Sequence, residues 1–140
     1  MSLEDNKAMA RRANAIWASN NSDKFEDIFT AGYVNHQEPD VAGGVSAKNL
    51  EVYKELLAGY HAAFSNSRNE VLMQLAEGDL VATRWRFTAV QSGDYEGLAP
   101  TGKEVTWTGV QIDRFENGKI AESWVDWDKF SLFVQLGLAK

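Results

Sequence analysis

Asp126 and Asp128 stand two residues apart at the end of a strand-like run, with Trp124 and Trp127 interleaved. Side chains two apart on a regular strand point the same way. In an apolar surrounding the ionised form of a carboxylate is disfavoured, so its pKa rises toward the range useful for acid/base work. The plain alternative is a pair of exposed residues, with Asp128 capping the helical pattern that begins after it. His36 ends a short extended run, between Asn35 and Gln37. Its titration near neutral pH suits proton transfer, and His36 and Asp128 are the expected acid/base pair. His61 falls beside an apolar helical stripe and reads as packing or surface. In Arg84-Trp85-Arg86, a Trp85 facing the core sends both arginines to the opposite face.

Other chemistries lack support. The two histidines are far apart, there is no Glu-x-x-His pattern, and no cysteine occurs, so a metal site is not expected. No phosphate-binding glycine loop and no Gly-x-Ser-x-Gly is present. A net charge of −6 argues against nucleic-acid binding.

The elements that must position these residues follow from periodicity. Ser2 is set to cap a helix over residues 3–20, with Met9, Ala13, Ile16 and Trp17 on one face. A short second helix carries Phe25, Ile28 and Phe29 inward and ends at Ala31-Gly32. Tyr33–His36 is extended and stops at Pro39, before a glycine-bearing loop over 40–45. Ser46 is expected to cap a third helix with Leu50, Tyr53, Leu57, Tyr60 and Phe64 as its stripe. The period then changes to two. Residues 70–76 and 80–90 read as strands joined at Glu77-Gly78-Asp79, and 91–104 as a loop. Asn117-Gly118 then marks a hairpin, because both central residues of its tight turn need positive φ. A regular register pairs Glu116 with Lys119, Phe115 with Ile120, Gln111 with Trp124, and Trp107 with Asp128. A terminal helix carries Phe130, Phe133, Val134 and Leu136.

Helices first and antiparallel strands second indicate an α+β fold in one domain over 1–140. Three helices against a curved sheet leave a cone with an opening, which the last helix partly closes. Either hairpin face could line it: one carries Trp107, Gln111, Trp124, Asp126 and Asp128, the other Val110, Ile112, Val125 and Trp127. The expected lining is Tyr33, Tyr60, Trp85, Trp107, Gln111, Trp124 and Asp126. The composition, 44% apolar and 24% charged, is that of an ordinary globular domain. No apolar leader or span of ~18 apolar residues occurs, so a cytoplasmic protein is expected.

Asn35-His36, Gly97-Leu-Ala-Pro-Thr-Gly102, Gly118-Lys119-Ile120, Trp124-x-x-x-Asp128 and Gln135-Leu136-Gly137 occur in order over nearly the whole chain. In this the chain resembles the SnoaL-like polyketide (ester) cyclase family. The resemblance implies the cone-shaped α+β barrel of nuclear transport factor 2 and ketosteroid isomerase, with a deep apolar cavity and a homodimer formed through the sheet. It also implies aldol ring closure of a small polyketide with no metal and no organic cofactor. An acidic residue serves there as proton donor and acceptor. That acid lies six residues after the lysine of Gly-Lys-Ile, a position held here by Val125. The family's pocket histidine corresponds to Gln111. Arg84-Trp-Arg86 stands where the related epoxide hydrolases carry Arg-x-Asp, so epoxide hydrolysis is rejected. Two readings follow: a cyclase- or isomerase-like enzyme, or a binding domain that keeps the cavity without the aldol machinery.

Overall fold

A computed structural model describes residues 2–19, 25–38 and 46–139. Helix α1 spans Leu3–Ala15. Ser2 and Asp5 close its N-terminus reciprocally, each side chain accepting from the other's backbone N–H. A single-turn helix α2 (Phe25–Ile28) leads directly into strand β1 (Phe29–Glu38). Phe29 and Gly32 therefore belong to a strand and do not end a helix. Helix α3 (Leu50–Ala63) is capped by Asn49, whose side chain accepts from Val52 N. The expected cap, Ser46, instead accepts from Gln37 N at 3.2 Å. The expected loop over 40–45 lies outside the described residues.

Strands β2 (Phe64–Glu77), β3 (Leu80–Gln91), β4 (Glu104–Glu116) and β5 (Lys119–Trp127) follow, then helix α4 (Lys129–Leu136). β2 begins six residues before the expected strand, because its polar start, Ser65 to Asn69, carries no apolar alternation yet pairs with β3. The sheet order is β1-β5-β4-β3-β2, with β1 parallel to β5 and the other neighbours antiparallel. Ala47 pairs with Asn35 through two 2.7 Å backbone bonds. This α+β architecture of a curved five-stranded sheet with helices on one face is the cone anticipated above.

Two apolar clusters fill the inner side. One gathers Phe25, Phe29, Tyr33 and Tyr53 with Ile120 and Phe115. The other gathers Phe64, Trp85, Phe87, Trp107 and Val125 with Leu132 and Leu136 of α4. The residue-91–104 connection is held by Gln91, which is fully buried. Its amide donates to Gly93 O, Leu98 O and Ala99 O and accepts from Thr101. Four of these hydrogen bonds fold the Gly97–Gly102 motif around one side chain.

The hairpin departs from regular register. Asn117 and Gly118 take φ of 51° and 81°, as a two-residue turn requires. Glu116 faces Lys119 and Phe115 faces Ile120. Ala121 is then an extra residue, so Arg114 faces Glu122 and Gln111 faces Val125. Such a bulge moves every later side chain of the bulged strand to the other face. Ile120 and Ala121 are consequently both buried, although adjacent.

Candidate functional site

The inner face of each strand is set by parity. On β4, Val105, Trp107, Gln111, Asp113 and Phe115 are buried at alternate positions. On β5 the bulge turns Ser123, Val125 and Trp127 inward and Trp124 and Asp126 outward. On β1, Tyr33, Asn35 and Gln37 point in and His36 points out.

These faces line a pocket of about 450 Å³ with its open mouth included. The helices contribute Asn14, Trp17, Tyr53 and Tyr60. The strands contribute Asn35, Gln37, Asn69, Trp85, Phe87, Trp107, Gln111, Val125 and Trp127. Ring edges and faces interlock: Phe87 and Trp107 centroids are 4.8 Å apart, Trp107 and Trp127 5.7 Å, Trp17 and Tyr60 5.3 Å. Gly109 permits this. A Cβ there would overlap the Trp85 ring and lie 2.8 Å from Trp127 Cβ.

The described wall carries no charged side chain. Its polar groups are amides, phenols and indoles. Trp17 Nε1 donates to Tyr53 Oη at 3.0 Å. Burial pushes the Tyr60 phenol up to about 12 and the Tyr53 phenol higher still, so both stay protonated. Asn35 Oδ1, Asn69 Oδ1 and Trp85 Nε1 are enclosed and have no partner among the described residues. Each is a polar atom of the wall left unsatisfied among the described residues.

Four of the expected pocket residues line the cavity: Tyr60, Trp85, Trp107 and Gln111. Three do not. Tyr33 is fully buried behind the wall, where its hydroxyl accepts from Asn35 Nδ2 at 2.8 Å. Trp124 and Asp126 are on the outer face, placed there by the Ala121 bulge. The two acid/base candidates do not meet in the cavity either. Asp128 caps α4, its Oδ1 accepting from Ser131 N at 3.0 Å. His36 is half-buried on the outer face, stacked on Trp124 at 5.7 Å and 2.8 Å from Glu122 Oε2. That contact holds the Glu122 carboxyl below its usual range, with Arg114 assisting. Arg84 and Arg86 share this face, opposite Trp85.

Behind Gln111 sits a residue that the pattern of carboxylates did not single out. Asp113 is fully buried; its Oδ1 accepts from Gln111 Nε2 at 2.7 Å and from Ser123 Oγ at 2.5 Å. Its Oδ2 is enclosed without a partner among the described residues. Burial pushes its carboxyl up to about 6, against the downward pull of the two hydrogen bonds. The signal was available: an aspartate at the parity of Val105, Trp107 and Phe115 lies on the apolar face. Among the described residues there is no cluster of metal-ligating side chains, and no helix is long and apolar enough to cross a membrane.

Comparison with known proteins agrees with this geometry. A family model for SnoaL-like polyketide cyclase matches residues 7–136. Among solved structures, AclR, a putative hydroxylase from Streptomyces galilaeus, superposes with a TM-score of 0.86 at 28% identity, covering 99% of this chain and 89% of that one. TsrD from Streptomyces laurentii has a TM-score of 0.85 at 17% identity over 99% and 98% of the two chains. IdmH, a putative polyketide cyclase from Streptomyces antibioticus, has 0.81 at 23% identity over 94% and 98%. The last two likenesses concern the fold alone. No curated protein matches the sequence.

Proposed function

Because the chain belongs to the SnoaL-like polyketide cyclase family, we propose that its cavity takes a flat, largely apolar molecule of the polyketide kind and holds it by neutral hydrogen bonds. The observation that carries this reading is the wall itself. Aromatic rings supply its area, amides and indole N–H groups supply its polarity, and no described lining residue is ionisable near neutral pH. Apolar walls with a few converging polar groups are the usual form of a small-molecule site. The chain is therefore read first as a binding domain of the family's fold, with Val125 and Gln111 at the positions of the usual acid and histidine.

The test is titration with 1,8-dihydroxyanthraquinone, followed by quenching of tryptophan emission. Saturable quenching that weakens in Gln111→Leu and is unchanged in Asp128→Ala supports the reading. Absence of saturable quenching up to the solubility limit removes it.

A second reading, an enzyme acting through an enolate, is favoured by one observation. Asp113 is a buried carboxyl of raised pKa joined to the wall through Gln111, the setting in which acid/base groups are tuned. Deuterium exchange at the α-carbon of 2-tetralone separates the two readings. Exchange above the buffer rate, lost in Gln111→Leu, favours the enzyme; exchange at the buffer rate favours the binding domain.

The outer sheet face is proposed to pair with a second copy of the chain. Met73, Leu75, Val110, Ile112 and Trp124 are exposed there together, an apolar patch of the type that marks an interface. Light scattering should give twice the chain mass, and Ile112→Lys should return it to one; a monomer at all concentrations refutes the pairing.

A further inference from the structure

The contact between Gln111 and Asp113 has a directional consequence. An ionised carboxylate only accepts hydrogen bonds, so its amide partner must offer N–H. Gln111 Nε2 does so at 2.7 Å. The amide oxygen then has no partner among the described residues and is left to the cavity that Gln111 lines. We propose that Asp113 is a positioning residue that sets the hydrogen-bonding sense of the wall: ionised, it accepts from the Gln111 NH2 and turns the Gln111 oxygen toward a ligand hydroxyl; protonated, it donates to the oxygen of the reversed amide, whose NH2 then faces a ligand carbonyl or ether oxygen. The proposal rests on the reading of this cavity as a ligand site.

The balance of the step is simple. One proton enters the Asp113 carboxyl from solvent and resides on the oxygen that faces Gln111, the other oxygen, unpartnered among the described residues, becoming the carbonyl; the new O–H donates to Gln111 Oε1 once the amide has rotated. No bond to carbon forms or breaks. Ser123 Oγ, facing Asp113 across β5, remains a donor to the carboxyl in both states. The titratable groups around Asp113 are Tyr33 from β1 and Tyr53 from α3. Burial holds both phenols protonated, so neither competes for the proton near neutral pH. Among the described residues no cation pairs with Asp113, since its only hydrogen-bond partners are Gln111 and Ser123. The raised carboxyl, at about 6, places the reversal between mildly acidic and neutral solution.

The experiment has two arms on the whole chain. In the first, the side-chain 15N–1H signals of Gln111, assigned by their loss in Gln111→Leu, are followed from pH 5 to 8. A titration of the Gln111 amide that disappears in Asp113→Asn is expected. A Gln111 amide that does not move with pH overturns the proposal, and this arm needs no ligand. In the second arm, 2-naphthol and 2-methoxynaphthalene are compared by calorimetry. The naphthol should bind about tenfold better than the ether at pH 8. That ratio should fall toward one at pH 5, and in Asp113→Asn it should stay the same at both values. An equal ratio at both pH values in the unmodified protein overturns the proposal. Failure of both probes to bind at any pH instead overturns the ligand-site reading, while the amide signal still decides what Asp113 does to Gln111.

Discussion

Asp113 and Ser123 face each other across β4 and β5, neither with any exposed surface, and the hydroxyl donates to the carboxylate. Two hydrogen bonds to one oxygen do not outweigh the loss of solvent, and the carboxyl rises from 3.8 to about 6. The folded chain therefore binds this proton more readily than the unfolded chain. Stability from this group is highest below pH 3.8, declines as pH rises, and reaches its full cost above pH 6. That cost is about 3 kcal/mol. Urea melts of the wild type and Asp113→Asn at pH 4 and pH 8 measure it by difference. The variant should gain relative to the wild type by up to about 3 kcal/mol at pH 8 compared with pH 4; a constant difference would show that Asp113 titrates normally.

Val125 stands opposite Gln111 with its side chain in the cavity. Val125→Asp should cost roughly 1–3 kcal/mol, because it puts a carboxyl into an apolar wall. Asp126→Asn, one residue on but on the exposed face, should stay within about 0.5 kcal/mol of the wild type. Chemical denaturation of the two variants tests the bulge directly, since a regular hairpin predicts the opposite order.

Asp128 acts on α4 through the Ser131 amide. Asp128→Ala should cost about 1 kcal/mol and leave anthraquinone quenching unchanged. His36→Gln should change stability by less than about 1 kcal/mol and likewise leave quenching unchanged. A tenfold weakening in either variant would return that residue to the cavity.

Gly109 lies under two indoles. Gly109→Ala forces a methyl against the Trp85 ring and the Trp127 Cβ, and overpacking of this kind costs about 1–3 kcal/mol. Trp85 should yield into the cavity, so probe affinity should fall together with stability. Unchanged binding in a folded variant would mean that the ring has moved elsewhere.

The fold was legible because period and punctuation agreed along most of the chain. Ser2, the α3 stripe from Leu50 to Tyr60, the Gly78 turn and Asn117-Gly118 all did what their local chemistry dictates, while Phe64, expected at the end of that stripe, opens β2 instead. The start of β2 was not legible, because Ser65 to Asn69 owe their strand to pairing with β3 and have no pattern of their own. The site was half legible. Trp85 and Trp107, both expected in the lining, are found there. Trp124 and Trp127 could not be placed, since two indoles of opposite parity fit either face equally well. What decided between them was Ala121, the extra residue at the shift of register between β4 and β5. On β1 the inward side chains are Asn35 and Gln37, whereas His36, the one reactive residue of the three, points away.

That bulge carries a consequence for how such a cavity can diverge. The inert character of the β5 wall depends on where the extra residue sits, as much as on the identities of the residues that follow it. Deletion of Ala121 would leave Glu122 opposite Arg114 and Val125 opposite Gln111, so the wall survives a shortening of the strand at that point. Drawing Ala121 into the ladder at constant length would instead set Trp124 opposite Gln111 and deliver Trp124 and Asp126 to the interior. A lineage with this fold can therefore exchange an inert wall for an acidic one by losing the bulge, with no residue added or removed.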